Sequence, residues 1–344
     1  MAVTLKDIAD RVGKSVPTVS RALAGFEDIS PKTREYVQAV AKEMGYVPNT
    51  FARKLQSQKS DAVGLILPGT ENLRFSDPFF SQLLSGIIEQ TSQAGLDLTI
   101  SAANPETELE TYTELIRGQR VDGFIVVRTQ RKDKRIALLR DQKVPFVAFG
   151  RMEAGNDFSY IDEDGGWGIE QIVDHLVDLG HTHLSCIAEP TRYTKSYNRV
   201  QGFINALKKH HLPLRESDLV VSNFRQRSGR VAALQLLEQD KPPTAIVAVN
   251  DLLAIGAIHA IQERGLAVGK DISVTGFDDI VLAEMANPGL TTLHQPAHEM
   301  GSLVAKSLIK QIRNEKNPHH QVVLKPTLVI RGSTAPPFSV NSEQ

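Results

Sequence analysis

The amino-acid sequence predicts a chain of two parts, a small all-α head followed by an α/β body with two doubly wound parallel sheets. Apolar residues recur at helical spacing over residues 4–45, which predicts short packed helices there. From Val63 onward, short β-branched runs alternate with amphipathic segments, as is typical of parallel sheets covered by helices on both faces. The length of 344 residues agrees with this division, because a chain of that size exceeds a single ordinary domain.

The first helix of the head is predicted to begin after Thr4. Thr4 and Asp7 have the spacing of a capping pair, and Gly13 is suited to end the helix because glycine readily adopts left-handed dihedral angles. Between these signals, apolar residues follow at positions i, i+3, i+4 and i+7, namely Leu5, Ile8, Ala9 and Val12. The pattern therefore predicts a short amphipathic helix.

The second and third helices begin with the same signal, a serine followed closely by a proline. Ser15 is a suitable N-cap with Pro17 in the first turn, where a missing N–H costs little, and Ser30-Pro31 repeats the signal. The apolar stripes predicted for these two helices are Val19, Ala22 and Leu23, then Val37, Val40, Ala41 and Met44.

A helix, a short turn and a second helix form the helix-turn-helix arrangement of DNA-binding proteins. In that geometry the first residues of the second helix reach base edges in the major groove, and here they are Ser15, Val16, Pro17, Thr18, Ser20 and Arg21. Arg21 can donate two hydrogen bonds to guanine, whereas Val16 and Pro17 offer only apolar contact. The spacing alone also allows a helical cap without a partner.

The charge of the chain is divided unevenly between its two parts. Residues 1–60 contain ten Lys/Arg against six Asp/Glu, and the remaining residues contain 29 against 34. A basic head on a mildly acidic body favours contact between the head and a polyanion such as DNA.

The single cysteine and the hydropathy pattern predict a cytoplasmic protein without a membrane partner. Cys186 has no second cysteine with which to pair, which fits a reducing compartment. No apolar run reaches the roughly 18 residues that a membrane span requires. The sequence "MAVTLKDIAD" at the start lacks the apolar core of a signal peptide.

The body is predicted to form two lobes that divide near Tyr160–Asp164, because its eight or more strand–helix units exceed one doubly wound half. Seven helices are predicted between the strands, the last of them ending at Gly265. The late segments "LTTLHQP" and "VVLKPTLVIRGS" are expected to cross back between the lobes. The first lobe would then contain residues 61–160 and 292–320, and the second residues 161–291 and 321–340.

Polar and aromatic residues at the predicted strand ends indicate a sugar site between the lobes. Ligands of open α/β sheets bind at the carboxyl ends of the strands. Aromatic faces cover the C–H patches of a sugar, and forked polar groups pair with its hydroxyls. The candidate residues are Asp77, Phe79, Arg151, Arg199, Phe224, Asn250, Asp278 and Gln295. Singly, the phenylalanines could be core residues and Asp278 a helix cap, and Trp167 could either stack on a ligand or pack within a lobe.

The sequence gives little support for catalysis, a metal or a cofactor. The stretch Gly265–Asp271 departs from a phosphate-binding loop in its spacing, and no G-x-S-x-G motif is present. His181 and His183 have the wrong spacing for a helical zinc pair. The acidic run Asp162–Asp164 could hold a cation, although we expect a solvated crossover between the lobes there.

Three stretches resemble one known family, "VTLKDIADRVGKSVPTVSRALAG", "ISPKTREYVQAVAKEMGYVPN" and "ARKLQSQKS". They are similar to the lactose/galactose repressor family of bacterial transcription regulators, and the resemblance extends over roughly residues 3–335. It implies a helix-turn-helix domain over residues 1–48, a hinge helix and linker over 49–60, and a periplasmic-binding-protein-type effector and dimerisation domain over 61–340. Lys14 departs from the family pattern, which usually has an apolar residue there.

The resemblance also implies roles for individual residues. The DNA-contacting positions would be Thr4, Leu5, Ser15, Val16, Pro17, Thr18, Ser20, Arg21, Ser30, Thr33, Tyr46, Asn49, Ala52, Arg53 and Leu55. Family effector contacts match Phe79, Arg199, Phe224, Asn250, Asp278 and Gln295. The segment Asn49–Ser57 is too short to be a stable helix alone, so it would become helical on DNA, with Leu55 wedged into the minor groove. Without the resemblance it would be taken for a flexible linker.

These observations together predict a homodimeric repressor that binds pseudo-palindromic operator DNA under the control of a small-molecule effector, most simply a sugar. A purine or a protein corepressor is the alternative within this class. A sugar-binding transport protein or a sugar-modifying enzyme would share the body, but neither explains the head. The tail "STAPPFSVNSEQ" has no heptads that would build a tetramer, which favours a dimer.

Overall fold

The computed structural model describes residues 3–46, 59–68, 77–315 and 319–337. The chain divides into two units between residues 59 and 60, a helical head and an α/β body. Among the described residues, no helix is long and apolar enough to cross a membrane.

The head contains helices α1 (Leu5–Val12), α2 (Val16–Leu23) and α3 (Pro31–Glu43). Their predicted starts are confirmed. The Thr4 hydroxyl and the Asp7 carboxylate form a capping box, and Gly13 ends α1 at φ 65°. Ser15 and Ser30 each accept a hydrogen bond from a backbone N–H three residues on, both at 3.3 Å. Capping side chains thus satisfy N–H groups that a helix start leaves without partners.

The three helices share one small apolar core. Its buried members are Ile8, Ala9, Val12, Val19, Ala22, Val37, Val40 and Ala41. The predicted stripe residues Leu23 and Met44 pack against this core but are only partly buried. Because these apolar faces point inward, the polar face of α2 stays at the surface of the head.

The body contains twelve strands within its described residues. They are β1 (Ala62–Pro68), β2 (Asp97–Ala103), β3 (Gly123–Val126), β4 (Phe146–Phe149), β5 (Ser159–Glu163), β6 (Leu184–Ala188), β7 (Leu219–Val221), β8 (Ala245–Ala248), β9 (Ser273–Thr275), β10 (Thr292–His294), β11 (Gln321–Leu324) and β12 (Thr327–Val329). The helices between them are α4 (Pro78–Gln93), α5 (Glu108–Arg117), α6 (Lys134–Asp141), α7 (Gly165–Asp178), α8 (Thr194–Lys209), α9 (Gln226–Leu237), α10 (Asp251–Glu263), α11 (Val281–Met285) and α12 (Ala297–Ile312).

The first lobe is a six-stranded parallel sheet in the order β11-β5-β4-β3-β1-β2. Side chains of α4 and α12 pack on one face, and side chains of α5 and α6 pack on the other. Helices α4 and α12 approach very closely, because a Cβ on Gly301 would lie 2.0 Å from the carbonyl oxygen of Leu83.

The second lobe is a four-stranded parallel sheet in the order β7-β6-β8-β9. Its core includes side chains of α7, α8, α9 and α10. A short antiparallel pair, β10 with β12, joins this lobe through a bridge between Thr275 and Thr291. The class predicted from the sequence, a helix-turn-helix head and an α/β body with parallel sheets, is confirmed.

The lobes differ from the prediction in which late segments they contain. Gln321–Leu324 pairs with β5 in the first lobe, whereas we expected it in the second. Thr292–His294 pairs with β12 beside the second sheet rather than belonging to the first lobe. The helix Ala297–Ile312 was not predicted at all. Strands of three or four residues show that a segment is extended, but they carry too little pattern to identify its partner.

Candidate functional site: a cleft between the lobes and the exposed face of the head

A cleft lies between the two lobes of the body, at the carboxyl ends of their parallel strands. This is where open α/β sheets bind ligands. The residues that line it are Leu67, Asp77, Phe79, Phe80, Val127, Arg128, Thr129, Phe149, Glu189, Tyr193, Lys195, Arg199, Phe224, Asn250 and Asp278.

Aromatic side chains line both walls of the cleft. In the first lobe, the rings of Phe79 and Phe149 are stacked with their centroids 6.1 Å apart. In the second lobe, Tyr193 meets Phe224 edge to face at 5.4 Å. The guanidinium carbon of Arg128 lies 4.1 Å from the Phe224 ring centroid and 4.6 Å from that of Tyr193. A ligand in the cleft would therefore have apolar ring surfaces on either side.

A buried carboxylate at the back of the cleft holds two cations of the other lobe. Glu163, at the end of β5, is only 2% exposed. Its Oε1 accepts a hydrogen bond from Arg199 Nη2 at 2.8 Å, and its Oε2 lies 2.7 Å from Lys195 Nζ. Burial alone would raise the pKa of Glu163, but the charges of Lys195 and Arg199 outweigh it and lower the pKa to about 2. Glu163 therefore favours its ionised form and pairs with two cations of α8.

Arg199 is held on several sides. Its Nη1 donates to the carbonyl oxygen of Val249 at 2.6 Å, and its guanidinium carbon lies 3.6 Å from the Phe277 ring centroid. Its Nη2 is 3.5 Å from Oδ1 of Asp278. Because these contacts fix the guanidinium, Arg199 can present its donors to a ligand without losing further side-chain entropy.

Asp278 lies in a loop of unusual backbone geometry. Its φ is 116° and that of Asp279 is 56°, both in the left-handed region. Burial raises the pKa of Asp278 well above its ordinary value, although the charge of Arg199 opposes the rise. A raised pKa means that the carboxyl group keeps its proton to a higher pH, and in the protonated form it can donate as well as accept a hydrogen bond, which suits a hydroxyl ligand.

Asp251 fixes the backbone that carries Asp278. Its Oδ2 accepts the N–H of Ile280 at 2.8 Å, and its Oδ1 accepts the Thr292 hydroxyl at 2.5 Å. Its own N–H donates to the carbonyl oxygen of Phe277 at 2.9 Å. Burial raises the pKa of Asp251 to about 7. The buried side chain of Asp251 therefore stabilises the left-handed loop.

Asn250 and Glu189 form a polar pair on the second-lobe wall. The Asn250 amide donates to Oε1 of Glu189 in a very short contact. The Asn250 Oδ1 accepts the N–H of Leu253 at 2.8 Å, which makes Asn250 the N-cap of α10. The two side chains are thus oriented before any ligand arrives.

The head presents a polar face along α2. Val16 is 39% exposed and Pro17 and Arg21 are exposed as well. Arg21 Nη1 lies 2.8 Å from Asp28 Oδ2, and both side chains are at least half exposed. The hydroxyls of Ser15 and Thr18 bond each other at 2.8 Å, as do those of Ser30 and Thr33.

Comparison with known proteins places these features in a family. Residues 4–49 match the family of bacterial regulatory proteins called the lacI family, and residues 173–334 match the periplasmic binding protein-like domain. The chain is 34% identical over 340 residues to the HTH-type transcriptional regulator DegA of Bacillus subtilis (strain 168), a match that covers 98% of this chain and 99% of DegA. The chain belongs to the LacI family.

Two solved structures of LacI-family proteins resemble the whole chain. A complex of the transcriptional regulator CelR with cellobiose has a TM-score of 0.75 and 30% sequence identity, covering 96% of this chain and 99% of CelR. The Lac repressor dimer bound to operator and the anti-inducer ONPF has a TM-score of 0.85 and 28% identity, covering 97% and 100%. This LacI-family protein is therefore a transcriptional regulator with a helix-turn-helix head.

Six of the eight predicted effector residues of this LacI-family protein line the cleft. They are Asp77, Phe79, Arg199, Phe224, Asn250 and Asp278. Gln295 is not among the lining residues. Its Nε2 donates to Oδ1 of the lining residue Asp278 at 2.7 Å. Their binding of an effector remains a prediction.

Arg151 and the acidic run Asp162–Asp164 do not lie where we expected them. Arg151 lines a separate groove together with Trp167, and its Nε donates to Asp162 Oδ2 at 2.7 Å. Asp162 and Glu163 are 1% and 2% exposed, so this segment is a buried strand end rather than a solvated crossover. No group of three or more metal-ligating side chains occurs within the described ranges.

Several cleft residues were missed by sequence reasoning. Arg128 and Thr129 come within three residues of the end of β3, and Glu189 follows β6 directly, so the rule that selected Asn250 could also have found them. Tyr193 and Lys195 precede Arg199 on the same stretch of chain, but nothing in the sequence showed that they face the cleft.

The structure describes most, but not all, of the predicted DNA-contacting residues of the head. Thr4, Ser15, Val16, Pro17, Arg21 and Ser30 are exposed, and Leu5, Thr18, Ser20, Thr33 and Tyr46 are partly exposed. The remaining four, Asn49, Ala52, Arg53 and Leu55, lie outside the described residues, as does the predicted hinge helix.

Proposed function

We propose that this LacI-family regulator is a homodimeric repressor whose affinity for operator DNA is controlled by a neutral sugar bound between the lobes of its body. The observation that carries the proposal is the cleft, where rings of both lobes surround a set of oriented carboxyl, amide and guanidinium groups. Such a combination matches the apolar C–H faces and the hydroxyl edges of a sugar.

The charge arrangement favours a neutral ligand. Lys195 and Arg199 both pair with the buried Glu163, so neither requires a charge from the ligand. The cleft also contains the carboxyl groups of Asp77 and Glu189, which would repel a strongly anionic molecule. Hydroxyl groups, which donate and accept, fit both kinds of side chain. The CelR structure was solved as a complex with cellobiose, which supports a sugar as the ligand class.

The head would bind DNA through the exposed face of α2. Arg21 has the reach and the forked donors to read a guanine in the major groove, and Ser15, Thr18 and Ser20 can contact bases or phosphates. Two heads of a dimer would then read the two halves of a pseudo-palindromic operator. The Lac repressor structure, a dimer on operator DNA, supports this arrangement.

Control of the DNA contact would depend on the segment Asn49–Ser57. A ligand that contacts both lobes stabilises one arrangement of the body, and in a dimer this changes the distance between the two hinge segments. Because so short a segment is helical only when something packs against it, a coupling free energy of about 1–3 kcal/mol is enough to order or release it.

The proposal is tested by measuring operator binding while candidate effectors are added. An operator is first selected from a random DNA library with the full chain, and it is then titrated with the full chain alone and with cellobiose, raffinose, ribose, glucose 6-phosphate or guanine. We expect one of the neutral sugars to change the affinity about tenfold or more. A response to guanine alone, or to no small molecule, would contradict the sugar proposal and favour a purine or a protein corepressor.

A further inference from the structure

The two lobes are joined by backbone hydrogen bonds beside the cleft. The N–H of Thr194 donates to the carbonyl oxygen of Thr129 at 3.0 Å, and the N–H of Arg131 donates to that of Arg192 at 3.0 Å. We call these two segments, residues 128–131 of the first lobe and 192–194 of the second, the interlobe bridge. Its bonds are separate from the covalent connections between the lobes.

The first-lobe segment of the bridge adopts a backbone conformation that needs support. Arg128 has φ 56°, a left-handed value that is unfavourable for a residue other than glycine. Two side chains hold it there. Arg135 donates from Nη2 to the carbonyl oxygen of Arg128 at 3.1 Å, and Asp133 Oδ2 accepts the N–H of Gln130 at 3.0 Å.

These two side chains belong to a buried ion cluster in the first lobe. Arg135 Nε and Nη2 bond the two carboxylate oxygens of Asp133 at 2.9 and 2.7 Å, and Nη1 bonds Glu108 Oε1 at 3.0 Å. The side-chain exposures of Arg135, Asp133 and Glu108 are 4%, 1% and 11%. A buried ion cluster is weak evidence for added stability, because the loss of hydration offsets the attraction. Because Arg135 and Asp133 also bond the bridge, the cluster can position the bridge even if it adds little stability.

We propose that Arg135 and Asp133 are positioning residues of the effector cleft, which hold the interlobe bridge and place the Arg128 guanidinium against the cleft. Substituting them loosens the bridge and weakens ligand binding, although neither residue itself lines the cleft. The part concerning the ligand rests on the proposed function above, whereas the part concerning the bridge does not.

The cluster itself offers two test variants and a matched control. Arg135→Lys keeps the charge, but one ammonium group cannot bond Asp133, Glu108 and the Arg128 carbonyl together. Asp133→Asn replaces one carboxylate oxygen with an NH2 group that cannot accept. Each carboxylate oxygen of Asp133 accepts two hydrogen bonds, so two of the four are lost whichever way the amide faces. Glu108→Gln changes a member of the same cluster whose hydrogen bond is with Arg135 rather than with the bridge, and it retains its Oε1 acceptor.

The first experiment measures amide hydrogen exchange in the full chain without any added ligand. The N–H groups of Thr194 and Arg131 report on the bridge, and the N–H of Val249, bonded to Ile187 at 3.0 Å, serves as a reference inside the second lobe. We expect Arg135→Lys and Asp133→Asn each to speed exchange of the two bridge amides about tenfold relative to the reference. Glu108→Gln should change them by less than about twofold.

Two results would overturn the proposal. If the bridge amides exchange at the wild-type rate in both test variants, the cluster does not hold the bridge. If Glu108→Gln speeds their exchange equally, the cluster acts only on the stability of the lobe. Circular dichroism tests whether each variant is folded, and the two test variants allow a conclusion even if one of them fails to fold.

The second experiment measures binding of cellobiose and of ribose by calorimetry. For a sugar that binds the wild-type chain, we expect the two test variants to weaken binding about tenfold and Glu108→Gln to leave it unchanged. If a test variant loosens the bridge but binds that sugar normally, the positioning role for the cleft is wrong. If neither sugar binds the wild-type chain, the choice of effector fails, and the exchange rates still decide whether the cluster holds the bridge.

Discussion

Glu163 and Arg199 meet at 2.8 Å between Oε1 and Nη2, although they belong to different lobes and are 36 residues apart in the chain. Glu163 ends β5 of the first sheet, and Arg199 lies on α8 of the second lobe. Both side chains are almost fully buried. Their ion pair therefore depends directly on how the lobes are placed, and it lies at the back of the cleft where a ligand would act.

Arg199→Lys should abolish or strongly weaken the effector response while leaving the protein folded. The variant keeps a cation near Glu163, but a single ammonium group cannot also bond the Val249 carbonyl in the way the guanidinium does. We expect the effector concentration at half response to rise at least about tenfold. The measurement is operator binding as a function of sugar concentration.

Lys209→Arg is the matched control for that variant. Lys209 lies on the same helix, but it is exposed and pairs with Asp174 at 2.8 Å on the surface. Exposed pairs contribute roughly 0–1 kcal/mol, so this exchange should leave the response unchanged. A normal response in Arg199→Lys would show that the effector does not depend on Arg199.

Arg21→Ala should abolish specific operator recognition without affecting ligand binding by the body. The side chain is exposed, and its pair with Asp28 adds little to stability, so the head should remain folded. Loss of a bidentate base contact should reduce operator affinity by about 1–3 kcal/mol per site. Competition between operator and unrelated DNA measures the effect.

Arg11→Ala removes the same charge from the head without removing a residue of α2. Arg11 is exposed on α1, 3.7 Å from Glu43. We expect this variant to weaken operator and unrelated DNA alike. Equal loss of specificity in Arg11→Ala and Arg21→Ala would contradict a base-reading role for Arg21.

Operator affinity should fall steeply with salt, whereas sugar binding should not. Neutralising DNA phosphates releases counterions, and six phosphate contacts would reduce affinity about a thousandfold between roughly 50 and 200 mM salt. A neutral sugar in the cleft releases no counterions, so its affinity should not change with salt. Titrations of both ligands over this range make the comparison, and a flat profile for DNA would contradict a phosphate-contacting head.

The stability of the body should depend on the ionisation of Asp251. Its pKa is raised to about 7 in the folded chain from an ordinary 3.8, so the folded state retains a proton that the unfolded state loses. This contribution to the free energy of unfolding is fully present below the ordinary value and is lost as the pH rises to about 7. Asp251→Asn cannot ionise and should not show this decline.

Urea denaturation at several pH values tests this dependence. Relative to the wild type, Asp251→Asn should gain about 3 kcal/mol of stability between pH 5 and pH 8. Asp141→Asn, at an exposed position at the end of α6, is the control and should show no such gain. A constant difference between Asp251→Asn and the wild type across this range would show that Asp251 ionises normally.

Gly301→Ala should destabilise the first lobe. The new Cβ would lie 2.0 Å from the carbonyl oxygen of Leu83, and a backbone atom cannot move aside as a flexible side chain would. We expect a loss of about 3 kcal/mol in the free energy of unfolding. Lys306→Ala, exposed on the same helix, should change it by less than about 0.5 kcal/mol, and similar losses in both variants would mean that α4 and α12 are not in close contact.

The sequence predicted local structure well because local signals determine it. The caps at Thr4, Ser15 and Ser30 are short-range hydrogen bonds, and the alternation of strands and helices in the body follows from burial on both faces of the sheets. Strand ends pointed to Asn250 and Asp278 for the same reason. These inferences needed no knowledge of distant contacts.

The positions of the late segments and of several cleft residues depend on contacts between distant parts of the chain. Gln295 supports Asp278 from behind, and Arg151 pairs with Asp162 instead of reaching the cleft. These differences between prediction and structure depend on the direction in which a side chain points and on the sheet that a short strand joins. The order of residue types along the chain specifies neither of these.

The pairing of β11 with β5 has a consequence for how the protein is made. The first lobe begins to leave the ribosome early, but its sheet lacks its edge strand until Leu324 has been synthesised, after all four strands of the second sheet. Domains tend to fold in the order in which they emerge. Here the first sheet stays incomplete until residues 321–324 are made, so the four-stranded sheet of the second lobe can form before it. A chain that stopped before residue 321 would leave β5 open to pairing with another chain.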